Sequence, residues 1–217
     1  MLKLVLDLLF PRQNILLSRS DNYLTYNDIF SFESRFKKIS PSQSKYINSI
    51  FVLSKYTNLV IHDLINRVKY LGEYSICESF SKALYQKIFI ESYIFIPDPD
   101  IIVPVPSDPL RIIQRGYNVP EKISIELSKI SKIKYANLLI KNTSTIAQNK
   151  LSRKSRLSNL KNAFSINDKL NLNLSNVEIV WIVDDISTTG STLTECAKII
   201  KGRYPYVQIY GVVISSN

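Results

Sequence analysis

Hydrophobic and polar positions along the chain follow two rhythms. SIFVLSKY (49–56) is a short apolar run bounded by polar residues, which predicts a strand. In LVIHDLINRVKYLG, Val60, Ile61, Leu64, Ile65 and Val68 recur at helical spacing, and Gly72 stands just past the end. A second helix is expected over about 75–90. The apolar stretch at 101–105 predicts a strand that stops at prolines. Asn118, Pro120 and Glu121 then supply a cap, an early proline and a first-turn acid for another helix. NLLI (137–140) predicts a short strand, and VEIVWIVDD is apolar almost without interruption, as buried parallel strands are. A helix over Thr192–Lys201 places Leu193, Cys196, Ala197 and Ile200 on one face, with Thr192 and Glu195 at capping-box spacing. VQIYGVVIS closes the series as a last strand. Strands alternating with helices predict an α/β fold with a parallel sheet flanked by helices.

The first fifty residues lack this regularity. They are polar with scattered aromatics and read as a small N-terminal appendage, 1–50, attached to an α/β domain, 51–217. MLKLVLDLLF resembles a signal peptide in hydrophobicity alone. Lys3 and Asp7 interrupt it, Pro11 ends it, and no small-residue cleavage site follows, so a short amphipathic helix is the expectation. No segment reaches the length of a membrane span, which predicts a soluble, cytoplasmic protein. Two distant cysteines, Cys77 and Cys196, exclude a disulfide scaffold and a cysteine-based zinc site.

The net charge of +10 points toward an anionic partner: nucleic acid, an acidic membrane surface or a phosphorylated small molecule. A chain crowded with Ile, Asn, Lys and Tyr acquires such a charge from composition alone. Between Leu127 and Asn167 there are nine Lys or Arg residues and no acid, densest at KLSRKSR. Three readings stand for this run: a solvated face, a mobile loop over an anionic ligand, or a patch for nucleic-acid phosphates. Lys69 and Tyr70 close an amphipathic helix, where a lysine complements the helix dipole. His62, the single histidine, has apolar neighbours and no cluster of partners, and Trp181 reads as core.

The strongest chemistry lies in VWIVDDISTTGST (180–192). Asp184 and Asp185 stand at the carboxyl end of a buried strand, where open α/β sheets bind ligands. Carboxylates at such a place must be solvated or paired. Ser187, Thr188, Thr189, Gly190, Ser191 and Thr192 follow. Gly190 permits a tight turn that exposes amide N–H groups, the hydroxyls add donors, and the next helix points its positive end at the same spot. This is a cradle for one phosphate monoester beside two acids that suit hydroxyls or a metal, and a ribose 5-phosphate satisfies both. The stretch has neither a P-loop nor a dinucleotide fingerprint.

VWIVDDISTTGST resembles the signature with which type I phosphoribosyltransferases bind phosphoribosyl pyrophosphate (PRPP). VPVPSDPLRIIQRGYN (103–118), QNKLSRKSRLSNLKNAF (148–164) and INRVKYLGEY (65–74) look like motifs of the competence protein F (ComF) family within that superfamily. The likeness runs from about residue 50 to the C-terminus. It implies a type I phosphoribosyltransferase-like sheet, PRPP as substrate with Mg²⁺, and displacement of pyrophosphate by a nitrogen acceptor. It makes Asp184 and Asp185 the catalytic pair, supporting Mg²⁺ indirectly, and residues 187–192 the 5-phosphate site. By the same likeness Ser107, Arg111, Arg115, Lys150 and Arg153 would face the pyrophosphate. Family members carry CxxC pairs in an N-terminal zinc module; this chain keeps the leucine-rich start and Phe-Pro but not the cysteines, so no zinc is expected. A PRPP sensor without turnover, or a competence accessory protein that binds partner proteins or single-stranded DNA, is the alternative.

Overall fold

The structure, a computed structural model, describes residues 31–38, 45–91, 96–142, 163–170 and 174–216. The expected helix at the N-terminus, most of the appendage, and Lys150 and Arg153 lie outside the described residues.

The chain adopts the α/β class anticipated from its pattern. Its main sheet combines β1 (Arg35–Lys38), β2 (Ser49–Lys55), β3 (Ile101–Pro104), β4 (Lys134–Tyr135), β7 (Ile179–Ser187) and β8 (Gln208–Ser216) in the order β1-β2-β8-β7-β3-β4. Five of these strands run parallel and β1 pairs antiparallel with β2. A separate two-stranded ribbon joins β5 (Leu139–Lys141) to β6 (Phe164–Ile166). The helices are α1 (Leu59–Tyr70), α2 (Ile76–Tyr85), α3 (Pro109–Arg115), α4 (Val119–Ser131) and α5 (Ser191–Arg203).

The continuous hydrophobicity of β7 has a direct physical outcome. Successive side chains of a strand point to opposite faces, so a strand covered on both sides must be apolar throughout. Trp181 and Val183 pack in one core with residues of α1, α2 and α4, including Phe80, Ile123 and Leu127. Val180 and Ile182 pack in the other with Leu193, Cys196, Ala197 and Ile200 of α5. The indole N–H of Trp181 donates to the Pro97 carbonyl at 3.0 Å, which satisfies the one polar group of that large buried side chain.

From β3 the chain steps outward to β4 by way of α3 and α4; from β7 it steps the other way to β8 by way of α5. With α4 on one face and α5 on the other, the crevice opens at the carboxyl ends of β3 and β7, the switch point of the sheet.

Local starts and stops differ from the sequence reading in four places. The helix expected over 75–90 is α2 followed by a π-helical turn, Gln86–Ile90. PLRIIQR forms the short helix α3, capped by Asp108 and begun by Pro109; with no buried residue it has no periodic signal to read. Asn118 does occupy the cap position of α4, but its side chain makes no cap and instead spans to the end of β3. The capping box of Thr192 and Glu195 does not form: α5 starts one residue earlier, Gly190 in the left-handed region (φ 78°) is its cap, and Glu195 pairs with Lys198.

Replacing Trp181 by Ala removes the largest fully buried side chain from the centre of the sheet. The expected loss is about 3–5 kcal/mol in urea unfolding followed by circular dichroism.

Candidate functional site

At the carboxyl end of β7 the strand pleat decides the environment of each acid. Asp184 continues the series of Val180 and Ile182 and faces α5; its charge acts on the Cys196 thiol of that helix. Asp185 continues the series of Trp181 and Val183 and faces α1 and α2; its charge acts on the Cys77 thiol. The two side chains leave the strand on opposite faces, yet their carboxyl groups remain within hydrogen-bond reach of each other.

Asp184 lines a small cavity of about 50 Å³ together with Ile186, Ser187, Thr188, Thr189, Gly190, Ser191 and Thr192. One water needs roughly 10–15 Å³ on this scale, so the space suits a group of several heavy atoms. All six residues read as a phosphate cradle are among its lining. Gly190 turns the chain with positive φ, no side chain caps α5, and its first turn carries no acid. The leading amides and positive end of a thirteen-residue helix therefore face the cavity that Asp184 also lines. Within the loop, Thr189 and Ser191 share a hydrogen bond between their hydroxyls, and the Ser191 amide donates to Thr189 Oγ1 at 3.4 Å.

Asp185 meets a cation. Lys69, the penultimate residue of α1, places Nζ 2.5 Å from Asp185 Oδ2. The Ile186 amide donates to Asp185 Oδ1 at 2.9 Å, and the Asp185 amide donates to Asp184 Oδ1 at 2.9 Å. Burial raises the Asp184 carboxyl well above its ordinary value, and the neighbouring Asp185 raises it further, against a smaller opposing effect of Lys69. Burial acts on Asp185 in the same sense, but the charge and hydrogen bond of Lys69 outweigh it, aided by a hydrogen bond from the Asp184 carboxyl and by the Ile186 amide, and hold Asp185 below the usual carboxylate range. The two acids of the pair are thus shifted in opposite directions, Asp184 up and Asp185 down.

The second wall is the turn after β3. The Val105 amide donates to the Val183 carbonyl at 2.8 Å, which seats this turn one residue from Asp184. Asn118 braces it: its Nδ2 donates to the Val105 carbonyl at 3.1 Å, and the Ser107 hydroxyl donates to its Oδ1 at 2.6 Å. Asp108 caps α3 through the Leu110 amide and lies 3.6 Å from Lys141 Nζ of β5. Of the residues assigned to pyrophosphate, Ser107 stands on this turn, Arg111 is exposed on α3, and the Arg115 guanidinium lies over the Tyr70 ring at 5.6 Å. His62 is remote in role: it is exposed and edges against Tyr56.

Lys69 and Lys141 are the charged groups whose part the sequence hid. Both lie far along the chain from the residues they meet, and a lysine at a helix end or on a short strand reads as solvated. The one available signal for Lys69 was its place in the INRVKYLGEY motif.

A magnesium ion fits this donor set in one manner. Among the described residues no group of three or more His, Cys, Asp or Glu gathers into a cage. Mg²⁺ is commonly held by one or two carboxylates, several waters and phosphate oxygens, and Asp184 beside the cradle meets that pattern. No helix of the described residues is long and apolar enough to cross a membrane.

Stability follows the two carboxyls with opposite signs. Asp184, with a folded value above its unfolded 3.8, contributes most below that pH and loses its contribution as the pH rises. Asp185, with a lowered folded value, contributes above about 3.8 and loses its contribution as the pH falls. Urea unfolding at pH 8 should therefore find Asp184→Asn as stable as the parent or more so. Asp185→Asn, which leaves Lys69 largely buried without its partner, should lose about 3–5 kcal/mol.

The chain is 34% identical over 152 residues to Competence protein F of Haemophilus influenzae, a match covering 69% of this chain and 66% of that protein. It is 31% identical over 139 residues to DNA utilization protein YhgH of Salmonella typhi and 32% identical over 139 residues to that of Escherichia coli K12, covering 63% of this chain and 59% of each. The match thus spans about three fifths to two thirds of the length of these relatives. No protein-family model matches the chain. The specific likeness to Competence protein F, together with the parallel sheet and the acids and hydroxyl loop at its switch point, places this chain in the competence protein F family.

Proposed function

We propose that the protein binds PRPP with magnesium at the carboxyl end of β7 and transfers its phosphoribosyl group to a nitrogen acceptor, in a role connected with DNA uptake or use. The observation that carries this reading is a single cavity shared by Asp184 and the 187–192 loop. A phosphate monoester matches the uncapped start of α5 and its hydroxyls. A sugar hydroxyl matches a buried carboxyl that makes no direct ion pair among the described residues.

In the reaction the bond from ribose C1 to the pyrophosphate oxygen breaks, the electron pair leaves with pyrophosphate, and the acceptor nitrogen forms the new bond to C1 and loses a proton. The cradle anchors the 5-phosphate, a remote hold that orients C1. Asp184 accepts from the ribose hydroxyls. On this reading the turn at Ser107 and the cations Arg111, Arg115, Lys150 and Arg153 would meet the departing pyrophosphate. Magnesium, when bound, neutralises pyrophosphate charge and supports the leaving group.

A second reading draws on one surface feature and on the relatives' names. Tyr70 and Tyr74 are exposed, with Arg115 over the first ring at 5.6 Å and Lys122 over the second at 5.7 Å. Exposed rings with neighbouring cations are the elements of a single-strand stacking platform.

Calorimetry with Mg²⁺–PRPP tests the first reading. Asp184→Asn and Gly190→Val should each weaken binding at least about tenfold, equal to about 1.4 kcal/mol, with circular dichroism unchanged. Absence of heat with the parent protein at millimolar ligand contradicts the site. Fluorescence anisotropy with a labelled oligothymidine tests the second: binding should weaken steeply between 50 and 200 mM salt, roughly as counterion release requires, and fall further in Tyr70→Ala/Tyr74→Ala.

A further inference from the structure

Lys69 has no part in the cradle, yet it lies against the acid pair. We propose that Lys69 is the resident counter-ion of Asp185, a positioning residue that engages one carboxylate of the pair and leaves Asp184 to meet an incoming metal–phosphate ligand. Three observations carry this.

The first is the division of the pair by the strand pleat. Asp184 lines the cavity with the 187–192 loop, whereas Asp185, joined to it by a carboxyl–carboxyl hydrogen bond, leaves the strand on the α1–α2 face with Lys69 Nζ 2.5 Å from its Oδ2. A cation reaching Asp185 meets an ammonium already in contact with it.

The second is burial. The side chains of Lys69 and Asp185 are 15% and 13% exposed, so their charges are poorly screened and neither is free to turn to water. A surface lysine on a helix end is loosely held; this one is enclosed.

The third is the construction of the turn that presents Lys69, which is built without using Lys69 itself. The Arg67 guanidinium grips the Glu73 carboxylate, with Nε 3.1 Å from each oxygen. The Leu71 amide donates to the Arg67 carbonyl, and Gly72 adopts φ 74° to reverse the chain. The Tyr117 hydroxyl, from the segment after α3, donates to the Val68 carbonyl. The end of α1 is thereby tied to the turn at Glu73 and to the α3–α4 segment, independently of Lys69.

The consequence is an order of binding. With Asp185 neutralised by a tethered ammonium, a bare divalent ion sees a weakened negative site, and it binds well only when it brings phosphate oxygens that the cradle holds. That consequence rests on the PRPP reading given above. The role of Lys69 as counter-ion does not.

The test uses Mn²⁺ alone, followed by electron paramagnetic resonance of the free ion, on the full chain without PRPP. Lys69→Met, which bares the second carboxylate, should bind Mn²⁺ at least about fivefold more tightly than the parent. Lys69→Arg, which keeps the charge, should stay within about twofold of the parent. The double variant Lys69→Met/Asp185→Asn should lose the gain. Equal Mn²⁺ affinity in Lys69→Met and the parent overturns the proposal, as does a gain that survives in the double variant. Should Lys69→Met fail to fold, Asp185→Asn and the double variant serve. The double variant should then bind Mn²⁺ more tightly than Asp185→Asn, where Lys69 repels the ion, and equal affinities overturn the proposal. Because no PRPP is present, these results stand whether or not the parent protein binds PRPP in calorimetry.

Discussion

Two carboxylates in succession at the end of a strand buried on both faces meet different neighbours. The pleat sends Asp184 toward α5 and Asp185 toward α1. Each is then withheld from water by the packed layers that make the sheet stable, and they are compensated unequally. Asp185 is compensated within the protein by Lys69 and the Ile186 amide. Asp184, its carboxyl raised by burial and by Asp185, lies beside a loop of hydroxyls and the start of α5. The asymmetry of the site, one settled acid and one receptive acid, follows from strand geometry before any ligand is considered.

The surrounding elements keep that asymmetry in place. The Val105–Val183 hydrogen bond and the Asn118 brace lock the turn after β3 beside β7. The Arg67–Glu73 clamp and the Tyr117 hydroxyl fix the end of α1. These are polar contacts between segments distant in sequence, drawn together because the chain reverses its stepping direction between β3 and β7. Such preorganisation matters for a site that must hold a flexible, highly charged ligand, since the alternative is to order the loops at the moment of binding.

The legible parts of the sequence were those governed by local pattern. VWIVDD read as a doubly covered strand because its composition admits nothing else, and the hydroxyl loop read as an anion cradle because Gly190 and a following helix are local facts. The capping box at Thr192 misled because capping spacing is common, and the left-handed Gly190 took the cap first. Asn118 was placed correctly at the head of α4 while its side chain served the β3 turn, a long-range demand that no helix rule contains. Lys69 shows the same limit most clearly. Helix periodicity located it, and only the assembled sheet shows the carboxylate it meets, 116 positions further along a chain whose numbering runs from Lys69 to Asp185.

The most direct test of the account is a crystal structure of the protein grown with PRPP and magnesium. The account predicts the 5-phosphate against the amides and hydroxyls of residues 187–192, the ribose hydroxyls on Asp184, and the Lys69–Asp185 pair intact. A phosphate group seated elsewhere, or ribose hydroxyls held by Asp185 with Lys69 displaced, would contradict it.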